Sequence, residues 1–382
     1  MSASVEDRIQ TELWRGAIPV EIHLAADEVA DVAPPPPFFG LIPRGAYLPV
    51  WYDRETEPSP RRHFEPFVAR FPDNVLTNQT RADAVGDEGA PSPDVAEPDT
   101  PSARADEKKK NQKPCWFDHD GAPLRWNVCA GTLHDVFALR EADGTVASRP
   151  WRLTVHYAPY REDEDDAARG GAGTGDSDVF SNAHSLFASG DESSARAHFF
   201  NALKEAVHVE RGSAAVVMSM TRAAQRDLWR SVLTGDRSLA TEAETALEVT
   251  ARATVADVAM NASADDKESL SHRRIPTRVF VRTGTDATER HASWRDVVWT
   301  SAPVPVYPHG LGSRKSTARD ALALVAPQFL ENESNDSLND SWRCFVQGVE
   351  VSLDAPLDAL HARMRGADRF LHVCAVRLNA KT

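Results

Sequence analysis

Between residues 193 and 247 apolar side chains recur at helical spacing, whereas on both sides of that block they alternate with a period of two. A chain of 382 residues patterned in this way is too long for one compact core, and the change of period marks where one folding unit hands over to the next. The expected organisation is therefore α+β, with a helix-rich middle held between two strand-rich parts.

Taken in order, Val5 to Trp14 reads as an amphipathic helix with Ile9, Leu13 and Trp14 facing inward, ended by Gly16. Ala17 to Leu24 alternates as a half-buried strand, and Phe38 to Trp51 reads as a second strand interrupted by Pro43 and Gly45, the pair forming a hairpin with a long tip. From about 53 to 113 lies an insertion. Arg61 to Phe71 has room for a short helix, and the acidic, proline-rich part from Ala82 to Lys113 reads as disordered, its Lys108 to Lys110 run as a solvated tract. Two short strands around an Asp120-Gly121 turn follow, then a helix from Thr132 to Arg140 with Thr132 and Asp135 as cap and N3 residues, then a strand from Trp151 to Tyr157. Residues 161–190 form an acidic, glycine-rich linker. After the helical block, with helices expected at Ala214 to Leu233 and Leu239 to Leu247, the last third repeats the first. Strands at Ile275 to Arg282 and Val297 to Val306 precede a helix at Thr317 to Ala326 whose Thr317 and Asp320 reproduce the Thr132 and Asp135 pattern. Cys344 to Val351, a helix from Leu357 to Met364 and an apolar strand from Phe370 to Leu378 complete it.

Composition narrows the function. A net charge of −14 argues against nucleic acid as the main partner, because phosphate binding needs a basic surface. Four dispersed cysteines, without a C-x-x-C pair, read as reduced thiols of a cytosolic protein and supply neither a disulfide framework nor a metal site. The first ten residues carry Glu6, Asp7 and Arg8 and lack the apolar segment of a secretory leader; no run approaches membrane-spanning length, so any membrane contact is expected to be peripheral. Gly171, Gly173 and Gly175 miss the G-x-G-x-x-G spacing, and neither G-x-S-x-G nor H-E-x-x-H occurs, so no cofactor or catalytic motif is expected.

One side chain stands out. Of 43 basic residues only eight are lysines, and Lys204 is the only one between Lys113 and Lys267. In the stretch Ala197 to Val209, Phe199, Phe200, Leu203, Ala206 and Val207 fall on one arc of a helix, with Lys204 at its rim. An amine that attacks a carbonyl or thioester has to be lysine, because a guanidinium stays protonated. A lysine whose stem shields apolar surface explains the position equally, and on this residue alone is the simpler reading.

Two strand–strand–helix–strand–strand units flanking a helical block are similar to two ubiquitin-like (β-grasp) domains. On that reading residues 1–17 are an N-terminal helix, 18–160 the first such domain, 191–272 the helix-rich domain and 273–382 the second. The motifs Leu13-Trp14-Arg15-Gly16-Ala17-Ile18-Pro19, Leu41-Ile42-Pro43-Arg44, Pro123-Leu124-Arg125-Trp126 and Pro150 to His156 run through the first part. Ala197-His198-Phe199 through Lys204-Glu205-Ala206, Asp227-Leu228-Trp229, Arg274-Ile275-Pro276 and Phe370-Leu371-His372-Val373 continue the order. Together they resemble the autophagy protein 5 family, scaffolds of the conjugation machinery that builds autophagosomes.

That resemblance implies that Lys204 is the acceptor of an isopeptide bond to the C-terminal glycine of autophagy protein 12. It also implies that the conjugate binds the coiled-coil autophagy protein 16 and stimulates an E2-type enzyme that transfers autophagy protein 8 to phosphatidylethanolamine, on a cytoplasmic protein recruited to the isolation membrane. Glu205 and His208 are the local candidates for assisting proton loss from Lys204; Leu13 and Trp14 are the candidates for the protein 16 groove. Two alternatives stay open: non-covalent association with protein 12, and a stand-alone hydrolase using His119, His134 or His156.

Overall fold

The computed structural model describes residues 5–30, 33–54, 56, 58–69, 115–138, 150–158, 191–247, 273–282, 294, 297–310, 313–327 and 342–377. The expected disordered tract at 82–113 and the linker at 161–190 lie outside them.

In chain order the first unit comprises α1 (Val5–Arg15), β1 (Ala17–Leu24), β2 (Phe38–Pro43), α2 (Leu48–Tyr52), α3 (Pro60–Phe64), β3 (Trp116–His119), β4 (Ala122–Leu124), α4 (Ala130–Phe137) and β5 (Trp151–His156). The helical block holds α5 (Glu192–Arg211), α6 (Ala215–Met218) and α7 (Arg222–Thr234). The last unit comprises β6 (Arg274–Arg282), β7 (Val297–Pro305), α8 (Ala318–Ala323), β8 (Trp342–Val346), β9 (Val349–Val351), α9 (Leu357–Met364) and β10 (Leu371–Arg377).

The two sheets have one topology: β2-β1-β5-β3-β4 in the first and β7-β6-β10-β8-β9 in the second. In each, the first and last strands of the unit run parallel at the centre and hairpins flank them. This is the ubiquitin-like arrangement, twice over, with a helical bundle between. Alternation drives it: Ile18, Val20, Ile22 and Leu24 of β1 are buried while their neighbours are not. β10 is buried on both faces from Leu371 to Ala375, as a central strand requires.

Three expectations fail. Residues 48–51, read as the end of the second strand, belong instead to α2; all five residues of α2 are buried, so apolarity carries no period there. The single helix expected from Ala214 to Leu233 is two, because the Thr221 hydroxyl accepts the Ala224 N–H at 3.0 Å and starts α7 afresh. Thr317 and Asp320 do form the expected cap, with the Asp320 carboxylate accepting the Thr317 N–H at 2.8 Å. Thr132 and Asp135 do not: α4 begins at Ala130, and its first N–H groups go to the carbonyls of Ala46 (2.8 Å, from Ala130) and Arg44 (2.7 Å, from Gly131).

Asp135 is thereby freed for a different task. Its carboxylate, 2% exposed, receives Arg44 Nη2 at 2.5 Å and the Gly348 N–H of the β8–β9 turn at 2.8 Å, joining the two β-grasp units. Arg282 of β6 adds a second link by donating to the last carbonyls of α4, Val136 (3.1 Å) and Phe137 (3.2 Å). Phe280, Phe345 and Cys374, on the face of the second sheet opposite its own helices, accordingly share a core with Leu133 and Phe137 of α4. We predict that Asp135→Ala, which strands Arg44 without its anion, lowers unfolding stability by roughly 3–5 kcal/mol. Urea denaturation reads this directly, and a loss within ~0.5 kcal/mol, the usual range of a surface change, would show that the pair does not hold the units together.

Candidate functional site

α5 is fixed at both ends by its own sequence. The Asp191 carboxylate accepts the Ser194 N–H at 2.7 Å, and Gly212 closes the helix with φ +73°, a conformation that costs glycine least. Phe199, Phe200, Leu203, Ala206 and Val207 are buried, Phe199 against Trp229 of α7 with ring centroids 5.7 Å apart. Lys204 is half-buried on the rim of this face. Among the described residues no hydrogen bond or ion pair engages its ammonium, so the stem is packed and the amine is free.

Glu205 and His208 differ in what they do. Glu205 is committed to the second sheet, 3.6 Å from Arg278 of β6 and accepting the Ser301 hydroxyl of β7 at 3.0 Å, so its carboxylate helps dock α5 and is not a free base. His208 is exposed one turn beyond Lys204, and no side-chain bond engages its ring among the described residues.

Leu13 and Trp14 of α1 face two different cores: Leu13 packs on that of the second sheet, Trp14 on that of the helical block, where its indole donates to the Ser231 carbonyl at 3.2 Å. α1 thus lies as a strap across the junction, tied further by Gln10 Nε2 to the Ala362 carbonyl at 2.8 Å and by Arg363 to Glu6 at 3.2 Å. Beneath it opens a cavity of about 70 Å³ lined by residues of all three units, among them Leu13, Trp14, Tyr47, Phe199, Val232 and Arg369. One residue of its polar wall, Arg369, is paired with Glu210 at 2.9 Å. Burial alone would raise the Glu210 carboxyl, but His361 and Arg369 outweigh it and hold the pKa at about 2. Arg369 sits at φ +65°, a conformation that its 3.0 Å bond to Glu210 helps to maintain.

The three histidines considered for hydrolysis serve the first sheet. His119 Nδ1 lies 2.8 Å from the Arg152 carbonyl, His134 lies edge-on to Trp151, and His156 stacks on Trp116 at 3.8 Å between Asp118 (2.5 Å) and Glu28 (3.6 Å). None is bonded to a hydroxyl or thiol among the described residues. The four cysteines are free, and burial pushes every thiol up, Cys115 and Cys344 to about 12, which removes them as nucleophiles. No group of metal-ligating side chains and no helix long and apolar enough to cross a membrane occurs among the described residues.

Comparison with known proteins agrees with this architecture segment by segment. Residues 13–75 and 98–157 match the UblA domain of autophagy protein ATG5, 192–239 its alpha-helical bundle region, and 274–375 its UblB domain. The chain belongs to the autophagy protein 5 family. Autophagy protein 5 of Arabidopsis thaliana is 23% identical over 397 aligned residues, covering 94% of this chain and 95% of that protein. The Oryza sativa subsp. indica protein of the same name is 24% identical, covering 86% and 71%. The crystal structure of Kluyveromyces marxianus Atg5 superposes with a TM-score of 0.56 at 15% identity, covering 96% of this chain and 98% of that one, a likeness of fold. Family membership gives this chain a role in autophagy, and its ubiquitin-like domains suit a scaffold.

His156 provides a test of this reading of the first sheet. Burial opposes its charge, but hydrogen bonds from the ring to the Asp118 and Glu28 carboxylates outweigh it and push the pKa up to about 9. A histidine raised from ~6.5 stabilises the fold fully below that value and loses the contribution as pH rises through 9. The native chain is therefore expected to lose on the order of 3 kcal/mol more than His156→Gln between pH 6.5 and 9.5. Parallel pH profiles of urea midpoints for the two proteins would contradict this.

Proposed function

We propose that this chain is the platform of an autophagy conjugation complex, decorated covalently through Lys204. The observation that carries the reading is the state of that side chain: a packed stem, an amine unpaired among the described residues, and no other lysine between Lys113 and Lys267. Its family, whose members are autophagy proteins 5, supplies the context.

The chemistry is aminolysis of a thioester. Lys204 loses a proton, its nitrogen attacks the thioester carbonyl of the C-terminal glycine of autophagy protein 12 held on a partner enzyme, the C–N bond forms and the C–S bond breaks. The nitrogen sheds a second proton as the amide forms, and the departing thiolate takes up one in its place. The tetrahedral oxyanion is stabilised by groups of the enzyme that carries the thioester. What this chain contributes is position: α5 is immobilised by its apolar face, and Glu205 pins it to β6 and β7.

The cavity beneath α1 suits the apolar anchors of a helical segment such as that of the coiled-coil autophagy protein 16, because it joins all three units and offers aromatic walls with a charged rim. In this reading the assembled complex works on the isolation membrane, where it orients the E2-type enzyme that transfers autophagy protein 8 to phosphatidylethanolamine. Reconstitution with the conjugation enzymes is expected to yield a heavier species that Lys204→Arg eliminates while the thermal midpoint stays unchanged. An adduct that survives in the Lys204→Arg protein would place the acceptor elsewhere.

A further inference from the structure

On the other side of Tyr47, Cys129, Asp368 and His372 from the cavity under α1 lies a second one, of about 160 Å³, where the segment after β4 meets α5, β6 and β7. Two of its walls are ordinary. Arg278 lies 3.6 Å from both Glu205 and Asp368, and Asp368 also meets His372 at 3.0 Å, so those charges are mutually satisfied. Phe280 and Trp299 stack with centroids 6.0 Å apart and give an apolar floor that reaches the surface, Trp299 being 45% exposed.

The third wall is not ordinary. Arg125 follows β4, and its guanidinium lies over the rings of Trp294 (4.9 Å) and Trp299 (5.7 Å). Among the described residues it meets no carboxylate and no hydrogen-bond acceptor, and its Nε is sealed from water without a partner. Burial lowers its pKa, and no neighbouring charge offsets the penalty. Next to it the Asn127 side-chain oxygen is likewise buried without a donor. Desolvating a cation without an anion is costly, and proteins normally avoid it. Two aromatic faces offset part of that cost, but the buried Nε still lacks an acceptor among the described residues, the Asn127 oxygen lacks a donor, and the indole face of Trp299 is exposed.

We propose that this cavity is a docking site for an acidic segment of a partner protein, with a carboxylate paired to Arg125 and an adjoining apolar side chain laid on Trp299. Charge complementarity argues for the anion and the planar fork of arginine for a carboxylate, which it binds with two parallel hydrogen bonds. The exposed tryptophan beside it argues for a ligand with an apolar neighbour, the usual composition of an interface anchor. Asn127 Oδ1 can take a backbone N–H of the same segment. Neither Lys204 nor its modification enters this inference, so the site stands or falls separately from the proposed conjugation.

The experiment uses the full chain and a blocked probe peptide, acetyl-Val-Asp-Val-Glu-Val-amide, against its Asn/Gln counterpart and against sodium acetate and inorganic phosphate. Indole N–H resonances are followed by heteronuclear NMR. The acidic peptide is expected to shift the Trp294 and Trp299 signals with saturation, and the Asn/Gln peptide to bind at least tenfold more weakly. Arg125→Gln should abolish the response. Trp299→Ala, at a half-exposed position where refolding is not at issue, should weaken binding about tenfold while the Trp294 signal still reports it. Saturable shifts from phosphate or acetate equal to those from the peptide would make this a small-anion site and overturn the proposal. So would an absence of shifts, or equal binding of the uncharged peptide.

Discussion

The Asp135 carboxylate is almost sealed from water and is shared by Arg44 of the first β-grasp unit and the backbone N–H of Gly348 in the second. A buried ion pair of this kind adds little to stability when compared with an apolar substitute, yet it is strongly unfavourable to break. Its value is therefore specificity of arrangement: the only low-energy way to bury Asp135 is with both units in place. The geometry is demanding. Gly348 has φ +78°, and a Cβ there would stand 2.7 Å from Arg44 Nη1, so the turn must be glycine on two counts. Gly131 meets the same guanidinium-bearing residue from the other side, where a Cβ would lie 2.9 Å from the Arg44 carbonyl oxygen.

From this joint follow the positions of the functional parts. With the units locked, one face of the second sheet is covered by α4 and by α5, and Arg278 and Ser301 come to lie under Glu205. α5 is thereby fixed, and Lys204 with it. The strap α1 crosses from the helical block to α9, leaving one cavity beneath it and another on the far side of Tyr47 and His372. The relative positions of these parts are set by polar contacts that tolerate few alternatives, which suits a scaffold.

Much of this was legible in the amino-acid pattern. Period-two alternation identifies β1 and β5, the Asp120-Gly121 turn the β3–β4 hairpin, and the apolar arc around Leu203 places Lys204 on a helix rim. What escaped was whatever depended on distant partners. Thr132 and Asp135 have the spacing of a capping box, but α4 takes its N-terminal acceptors from the carbonyls of Arg44 and Ala46, far away in the chain, and no local signal announces that. α2 was hidden because a segment buried on every side shows no period. Arg125 stood in a recognised motif, yet a guanidinium without a counter-ion is visible only once its surroundings are folded around it.

The central physical claim is that the two ubiquitin-like units and the helix bearing Lys204 form one cooperative body. Native-state hydrogen exchange followed by mass spectrometry, across a urea series below the unfolding midpoint, tests this most directly. If the claim holds, amides of β1, β10 and the middle of α5 exchange with the same free energy and the same denaturant dependence, through one global opening. Opening of β6 to β10 at markedly lower free energy than β1 and β5 would show that the units are merely adjacent, and that the placement of Lys204 does not depend on the joint at Asp135.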